Sequence, residues 1–484
     1  MNTPVSATPP ARKIPAHYFG YLALLIWGAL SVWLLNRTPY DLDEGGAKAL
    51  LLGWSVADQV ASAVVTFGAP DFRALLLLPV GYLWTGSVFA PKIFTLLLTA
   101  LLAWELFFWA RARFHAETAL VASGLFCLSP LTLYHIDALA AGIYLLLALA
   151  FGIWADQQYR AAPRPFGGFY FLQLFSCAVA VSLHPAGLAL PLALLWGWRQ
   201  NPVNLPQQKQ FFIGLSFATL LTLLLTLGWG GLHWFSNPLL SLSSLLLGIS
   251  SETEIGSGRW LAGSTLALAL LWVLVKQGRN LLSDLAGRTL LLALLLGGLS
   301  GDASWALLAL VVLLFYGFPL LLTEQPSAKR PLAMVLLFIV SVVFMQADRM
   351  RYDRHQAELL SEQDQLIRTF ADEAAASQHL MAESDANKTP PPAAIRIASQ
   401  WPSRTMIACR CDTLPLPPVA KDAAAQWDML RGVTHLMFNP KQVQNLDLSH
   451  NLAQLSGDQM ETTALQPGGI ILHKNADNSL LAPR

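Results

Sequence analysis

The sequence predicts an all-α polytopic membrane domain of about eleven transmembrane helices, followed by a small periplasmic α/β domain. Three observations predict it. The 484 residues are 54% hydrophobic and only 13% charged, with a mean hydropathy of +0.47, the composition of a multi-span membrane protein with a soluble appendage. Apolar runs recur from Tyr18 to position 347 with few charges inside them. At Asp348 the composition then changes abruptly to charged and short alternating segments.

Arg12 and Lys13 precede the first apolar run, Tyr18–Leu35. That run is long for a signal peptide and no small-x-small site follows it, so it reads as an uncleaved first span with residues 1–17 in the cytoplasm. Further spans are expected at 90–110, 117–134, 138–154, 166–183, 187–198, 211–229, 260–275, 288–301, 303–323 and 331–347. Two of them, 187–198 and 288–301, are shorter than the roughly 20 residues of a straight crossing. The apolar stretch Phe72–Trp84 is short and broken by Pro79 and Gly81. It reads as an interfacial or re-entrant helix within an outer loop, 36–89.

Lys and Arg set the orientation. The expected cytoplasmic loops hold Arg111, Arg113, Arg160, Arg164, Arg199, Lys209, Lys276, Arg279, Arg288, Lys329 and Arg330. The opposite side offers only Arg37, Lys48, Arg73, Lys92 and Arg259 before Asp348. Counting Phe72–Trp84 as a crossing would invert every later loop against this bias. The membrane domain is therefore 18–347, with its C-terminus outside.

Residues 348–394 form a helical connector, with Leu366, Ile367 and Phe370 on an apolar stripe, and a linker at Asn387–Pro392. In the α/β domain, 395–484, strands are expected at Ile395–Ala398, Thr405–Ala408, His435–Phe438 and Gly469–Leu472, and a helix at Ala423–Leu430. Cys127 and Cys177 lie inside apolar spans. Cys409 and Cys411 form a C-x-C pair, too close for an easy mutual disulfide and too few for a zinc site. The net charge of +1 gives no field for nucleic acid.

The chemistry-bearing segment is Pro39–Gly46, which puts Asp41, Asp43 and Glu44 at the membrane surface directly after the first span. A carboxylate drawn to the centre of a span costs about 2.5–3.5 kcal/mol, so acids at this depth read as site material. The same residues also fit a helix start, with Asp41 or Asp43 as the cap and Glu44 favoured by the helix dipole.

The order of segments resembles a family. An outer Asp43-Glu44 pair opens a juxtamembrane helix through Leu50; an amphipathic segment runs Pro79–Ser87; the next span begins Phe89-Ala90-Pro91-Lys92; and a later one ends Leu128-Ser129-Pro130-Leu131-Thr132-Leu133-Tyr134 before an Asp-bearing turn. Together these look like the GT-C superfamily of polytopic glycosyltransferases, in particular the protein O-mannosyltransferase, aminoarabinose transferase and rhizobial lipopolysaccharide transferase branch. Arg73 stands where that family carries a Lys-Pro, and His135-Ile136-Asp137 replaces its Arg-rich turn.

The resemblance implies transfer of a sugar from a polyprenyl-phosphate donor to a lipid, glycan or protein acceptor at the outer face of a bacterial inner membrane. It assigns Asp43 as the base, paired with Glu44. Such chemistry needs a carboxylate for the acceptor proton and cations for the leaving phosphate. Arg73, Lys92 and Arg259 are the basic groups available, with His184 in Leu183–Gly187; Asp137 and His135 face the same side, and Asp41 is a further participant. The sequence names no cofactor, and the paired carboxylates could take a divalent cation, Mg or Mn. Two other classes stay open: a non-catalytic scaffold of an envelope-assembly complex, and a lipid or solute transporter, for which no symmetric repeat or mid-membrane charge is visible.

Overall fold

The computed structural model describes residues 44–58, 72–84, 87–114, 116–161, 167–200, 212–220, 257–300, 304–317, 365–376, 395–441, 445–455, 460–466 and 468–474, with a few isolated positions between them. The expected first span apart from a few positions, the span 331–347, the end of 211–229 and the linker 387–392 lie outside the described residues.

The helical part begins with α1 (Glu44–Asp58) and α2 (Phe72–Leu83), the outer-loop pair. It continues with α3 (Phe89–Arg111), α4 (Ala116–Leu128), α5 (Pro130–Asp137), α6 (Ala141–Ala161) and α7 (Gly168–Leu183). A 3-10 turn, Pro185–Leu188, leads into α8 (Ala189–Gln200). Next come α9 (Ser257–Ser283), α10 (Leu285–Ser300) and α11 (Ser304–Val312), the last running into a π-helical turn, Leu313–Gly317.

Among the described helices α3 alone is long and apolar enough to cross a membrane unaided. Its 23 residues extend about 35 Å, against a hydrocarbon thickness of about 30 Å. The expected span 117–134 is instead a helix pair bent by 50°. The break falls where Ser129 is extended and Pro130, which has no N–H to give, starts a new helix. The expected span 138–154 starts and ends later, as α6.

One buried core runs through the bundle, built on Phe126, Tyr144, Trp198, Leu290 and Phe315 among many Leu and Ala. Inside it Asp156 accepts from Arg160 Nε at 2.6 Å, Gln173 Nε2 at 2.9 Å and Trp198 Nε1 at 3.0 Å, so a buried carboxylate is satisfied by three donors from three helices. Arg113 pairs with Asp284 at 2.8 Å. Lys92 and Arg113 are 21 positions apart on and just past α3, about 30 Å at helical rise. The charges therefore gather at two opposite ends of the bundle.

The C-terminal part adds a helix, α12 (365–376), and a five-stranded sheet. Its elements are β1 (Arg396–Ser399), α13 (Pro402–Cys409), β2 (Asp412–Pro415), α14 (Ala423–Met429), β3 (His435–Phe438), α15 (Leu446–Ala453), β4 (Met460–Gln466) and β5 (Gly469–Lys474). The strand order is β2-β1-β3-β5-β4, parallel at β2-β1-β3 and antiparallel at β3-β5-β4. Ile397, Met437 and Ile471 face Leu366, Ile367, Phe370 and Ala374 of α12. Ala398, Leu436 and Phe438 face Leu430, Leu448 and Leu452 on the other side. This two-residue alternation lets helices cover both faces.

Two expectations are corrected here. Thr405–Ala408 is not a strand but the middle of α13. Pro402 occupies the first turn, Arg410 ends the helix in the left-handed region at φ 55°, and Ser403–Ile407 are buried on more than one face. Cys409 and Cys411 are joined as a disulfide, because the left-handed Arg410 between them folds their Cα atoms to 5.2 Å, within bridging range.

His435 on β3 is buried between the rings of Phe370 and His473, at 5.3 and 4.6 Å. Burial, and then His473, lowers its pKa to about 4 from an ordinary 6.5. A base with a depressed folded pKa contributes stability that is present above the ordinary value and lost as pH falls toward the folded one. The C-terminal domain should therefore lose stability between about 6.5 and about 4. Denaturant melts across that window should show the slope in the native chain and a flatter one in His435→Phe.

Candidate active site

The end of the bundle that carries Asp137 is organised by close backbone approaches. Gly46, in the first turn of α1, lies against the Ala138–Leu139 turn: a Cβ built there would stand 2.7 Å from Ala138 O and 2.7 Å from Leu139 Cβ. Any side chain at 46 would push α1 off that turn. Farther along, Gly53 of α1 and Gly81 of α2 cross with almost nothing between them, a built Cβ on either falling 3.1–3.2 Å from the other's Cα. The start of α1 and the turn that follows Asp137 are thus brought side by side.

Asp137 ends α5, and Lys92 Nζ donates to its Oδ1 at 2.5 Å. The ammonium is fully buried while the carboxylate remains 19% exposed, so the pair opens outward on the acid side. One turn along α3, Thr95 Oγ1 donates to Pro91 O at 2.9 Å and lies 2.6 Å from the Tyr144 hydroxyl of α6. Arg73, buried on α2, donates from Nη1 to Leu139 O at 2.9 Å. Leu139 has φ 53°, a conformation costly for a side-chain-bearing residue, and the guanidinium braces it. Lys92 and Arg73 therefore flank the turn that carries Asp137.

Glu44 reaches the other way. Its Oε1 accepts from Ser403 N at 2.7 Å and its Oε2 from Arg404 N at 3.5 Å, so it caps the N-terminus of α13 in the C-terminal domain. At the other end of α13 the Arg410 guanidinium stacks 4.5 Å from the Trp54 ring of α1. Between them Met406 and Ile407 pack in one cluster with Leu42, Leu50, Leu77 and Leu139. The C-terminal domain thus sits on α1, with Leu77 and Leu139 in the same cluster.

Burial raises the Glu44 pKa, outweighing the Ser403 side chain, the Ser403 and Arg404 amides and the Arg404 charge, which lower it. An acid with a raised folded pKa contributes stability that is full below 4.5 and lost as pH rises through the raised value. Docking of α13 should accordingly loosen on raising pH from 4.5 toward neutrality, read as faster amide exchange over 402–409. Glu44→Gln keeps a carbonyl acceptor and should abolish that dependence. Glu44→Ala should loosen α13 at every pH, by about 0.5–2 kcal/mol, the usual worth of a cap.

Asp41 and Asp43 lie outside the described residues, as does the Arg259 side chain; Asp43 immediately precedes the first residue of α1. His135 is buried, with its ring against the space left by Gly142. His184 is buried at the end of α7, where Nδ1 accepts from Ala186 N at 3.1 Å and caps the 3-10 turn. Among the described residues no group of three His, Cys, Asp or Glu could hold a metal ion. Asp137 is engaged by Lys92 and Glu44 by two amides, so these carboxylates as placed do not fit a divalent cation. Ser403, Arg404 and Trp54 were not foreseen at the site. The Trp401-Pro402-Ser403 run, a proline at a helix start, was the one signal available for α13.

No protein-family model and no curated protein matches the sequence. Solved structures do. ArnT from Cupriavidus metallidurans bound to undecaprenyl phosphate aligns over 97% of this chain and 99% of its own, with a TM-score of 0.53 and 14% identity. The archaeal oligosaccharyltransferase AglB from Archaeoglobus fulgidus, in complex with an inhibitory peptide and a dolichol-phosphate, aligns over 96% of this chain and 75% of its own, with a TM-score of 0.55 and 11% identity. The apo Cupriavidus ArnT gives 0.51 at 14% identity, over 97% and 100% of the two chains. The mostly helical chain with its small sheet thus has a fold similar to that of these solved structures.

Proposed function

We propose that this chain is a multi-pass membrane glycosyltransferase that moves a sugar from a polyprenyl-phosphate donor to a lipid, glycan or protein acceptor. The supporting observation is the gathering of the Asp137–Lys92 pair, the Arg73-braced turn and the start of α1 at one end of the bundle. Similar folds bound to undecaprenyl phosphate and to a dolichol-phosphate lend the donor class its weight.

On this reading Asp43 takes the proton of the acceptor group as that group attacks the anomeric carbon. The bond from that carbon to the phosphate oxygen breaks with its electron pair, and polyprenyl phosphate leaves. Lys92 and Arg73 supply positive charge beside the leaving phosphate, and Asp137 fixes the Lys92 ammonium. Arg259 and His184 remain further candidates for donor contact, and Asp41 and His135 for the acceptor side. The reaction lies on the periplasmic face of a bacterial inner membrane, with the α/β domain on that side, in keeping with the Lys and Arg bias of the loops.

The test is release of polyprenyl phosphate from sugar-loaded carriers by the protein in lipid nanodiscs. Arg73→Ala should cut turnover by about tenfold or more, and Arg73→Lys should recover only part, since lysine lacks the planar fork. A second reading, a scaffold held by its outer domain, is favoured by the engagement of Glu44 with α13. A folded protein that turns over none of the carriers would select it.

A further inference from the structure

Lys92 and Asp137 come from α3 and α5, and a pair of buried hydroxyls ties the backbones that carry them. Thr95 lies one turn past Lys92 on α3 and gives its hydroxyl proton to Pro91 O at 2.9 Å. Its oxygen lies 2.6 Å from the Tyr144 hydroxyl, and with the threonine proton committed the tyrosine is the donor. Thr95, Tyr144 and Lys92 are all buried. Pro91 directly precedes Lys92, so this chain of bonds ends on the turn that carries the ammonium. Thr99 repeats the pattern with Thr95 O at 2.8 Å, and a threonine bonded back to the carbonyl four residues earlier bends a helix. Tyr144 stands in the first turn of α6, just after the turn that follows Asp137. That turn is closed onto α5 by Ala138 N donating to Tyr134 O at 2.9 Å and Ala140 N to His135 O at 3.0 Å. Tyr144 is therefore held in register with Asp137, and Pro91 with Lys92.

We propose that Tyr144 is a positioning residue for Lys92: its hydroxyl, acting through Thr95 and Pro91 O, fixes the first turn of α3 against the turn after Asp137. An ammonium on a flexible four-carbon stem has no direction of its own, so the placement of its backbone decides where the charge sits. Tyr144 touches neither donor nor acceptor in this role. Its effect on transfer rests on the reading of Lys92 given above, whereas its hold on the Lys92–Asp137 pair does not. The ring belongs to the bundle core, so Tyr144→Phe keeps the packing and removes the hydroxyl alone.

The experiment uses the full chain in lipid nanodiscs and has two readouts. Thermal melts of Lys92→Met, Asp137→Asn and the double variant give the coupling of the pair as the non-additivity of their melting-temperature shifts. That coupling should shrink when the same cycle is run in Tyr144→Phe, and again in Thr95→Val. Thr95→Ser keeps both hydroxyl bonds and should restore the native coupling. The second readout is release of undecaprenyl phosphate, with its mannosyl and aminoarabinosyl esters as carriers. Tyr144→Phe should lower kcat by about 2- to 10-fold, the worth of one hydrogen bond, with KM unchanged. A packing role alone would lower the melting temperature and leave the coupling at its native value, and that result overturns the inference. Reduced coupling with an unchanged kcat upholds the positioning and takes Lys92 out of the transfer reading. The melts decide equally in a protein that turns over neither carrier.

Discussion

Asp137→Asn should destabilise the protein by about 3–5 kcal/mol, the cost of removing one partner from a buried ion pair. Lys92→Met should cost less. The asymmetry follows from exposure: Asp137→Asn takes the compensating charge from an ammonium with no solvent access, whereas Lys92→Met leaves a carboxylate that is 19% exposed and can draw on water. The double variant Lys92→Met/Asp137→Asn removes both charges, so its stability should return toward that of the native chain, with a coupling well above the scatter of independent sites. Donor turnover should stay lost in all three if the ammonium serves the leaving phosphate. Thermal melts and polyprenyl phosphate release on the same four proteins separate the two roles. Equal losses for the two single variants, with no coupling, would mean that the pair is a solvated surface contact.

That pair also marks the limit of what the residues could say by themselves. Lys92 and Asp137 were each expected on the outer face, from loop charge and span boundaries. Their union was not, since 45 residues separate them and only the crossing of α3 and α5 joins them. The same holds more strongly for Glu44, whose partners lie 359 and 360 positions away. Elements with their own periodicity were legible: α3 falls within a residue of the expected span, and β3 matches His435–Phe438. Elements whose shape depends on a neighbour were not. Met460–Gln466 alternates weakly and becomes a strand only beside β5, and Asp412–Pro415 only beside β1. Thr405–Ala408 has the composition of a strand, but the proline before it and the left-handed Arg410 after it close a helix around it. The disulfide was missed for the same reason, as its geometry depends on that one backbone torsion.

Asp43→Asn should lower sugar transfer by a factor of about 10²–10⁴, the contribution of a positioned general base, with expression and melting temperature little changed. Asparagine keeps the size of the side chain and its ability to cap α1, which begins at the next residue, but cannot take the acceptor proton. If Asp43 is instead only a cap, the order reverses. Asp43→Asn is then nearly silent, because asparagine caps about as well as aspartate, while Asp43→Ala costs about 0.5–2 kcal/mol of stability. Close packing sharpens the comparison: α1 touches the Ala138–Leu139 turn through Gly46, so a loosened first turn would also disturb Asp137. Asp43→Ala should therefore lose activity on either reading, and the asparagine variant decides between them. Full transfer by Asp43→Asn would sink the assignment of the base and move it to Asp41 or Asp137.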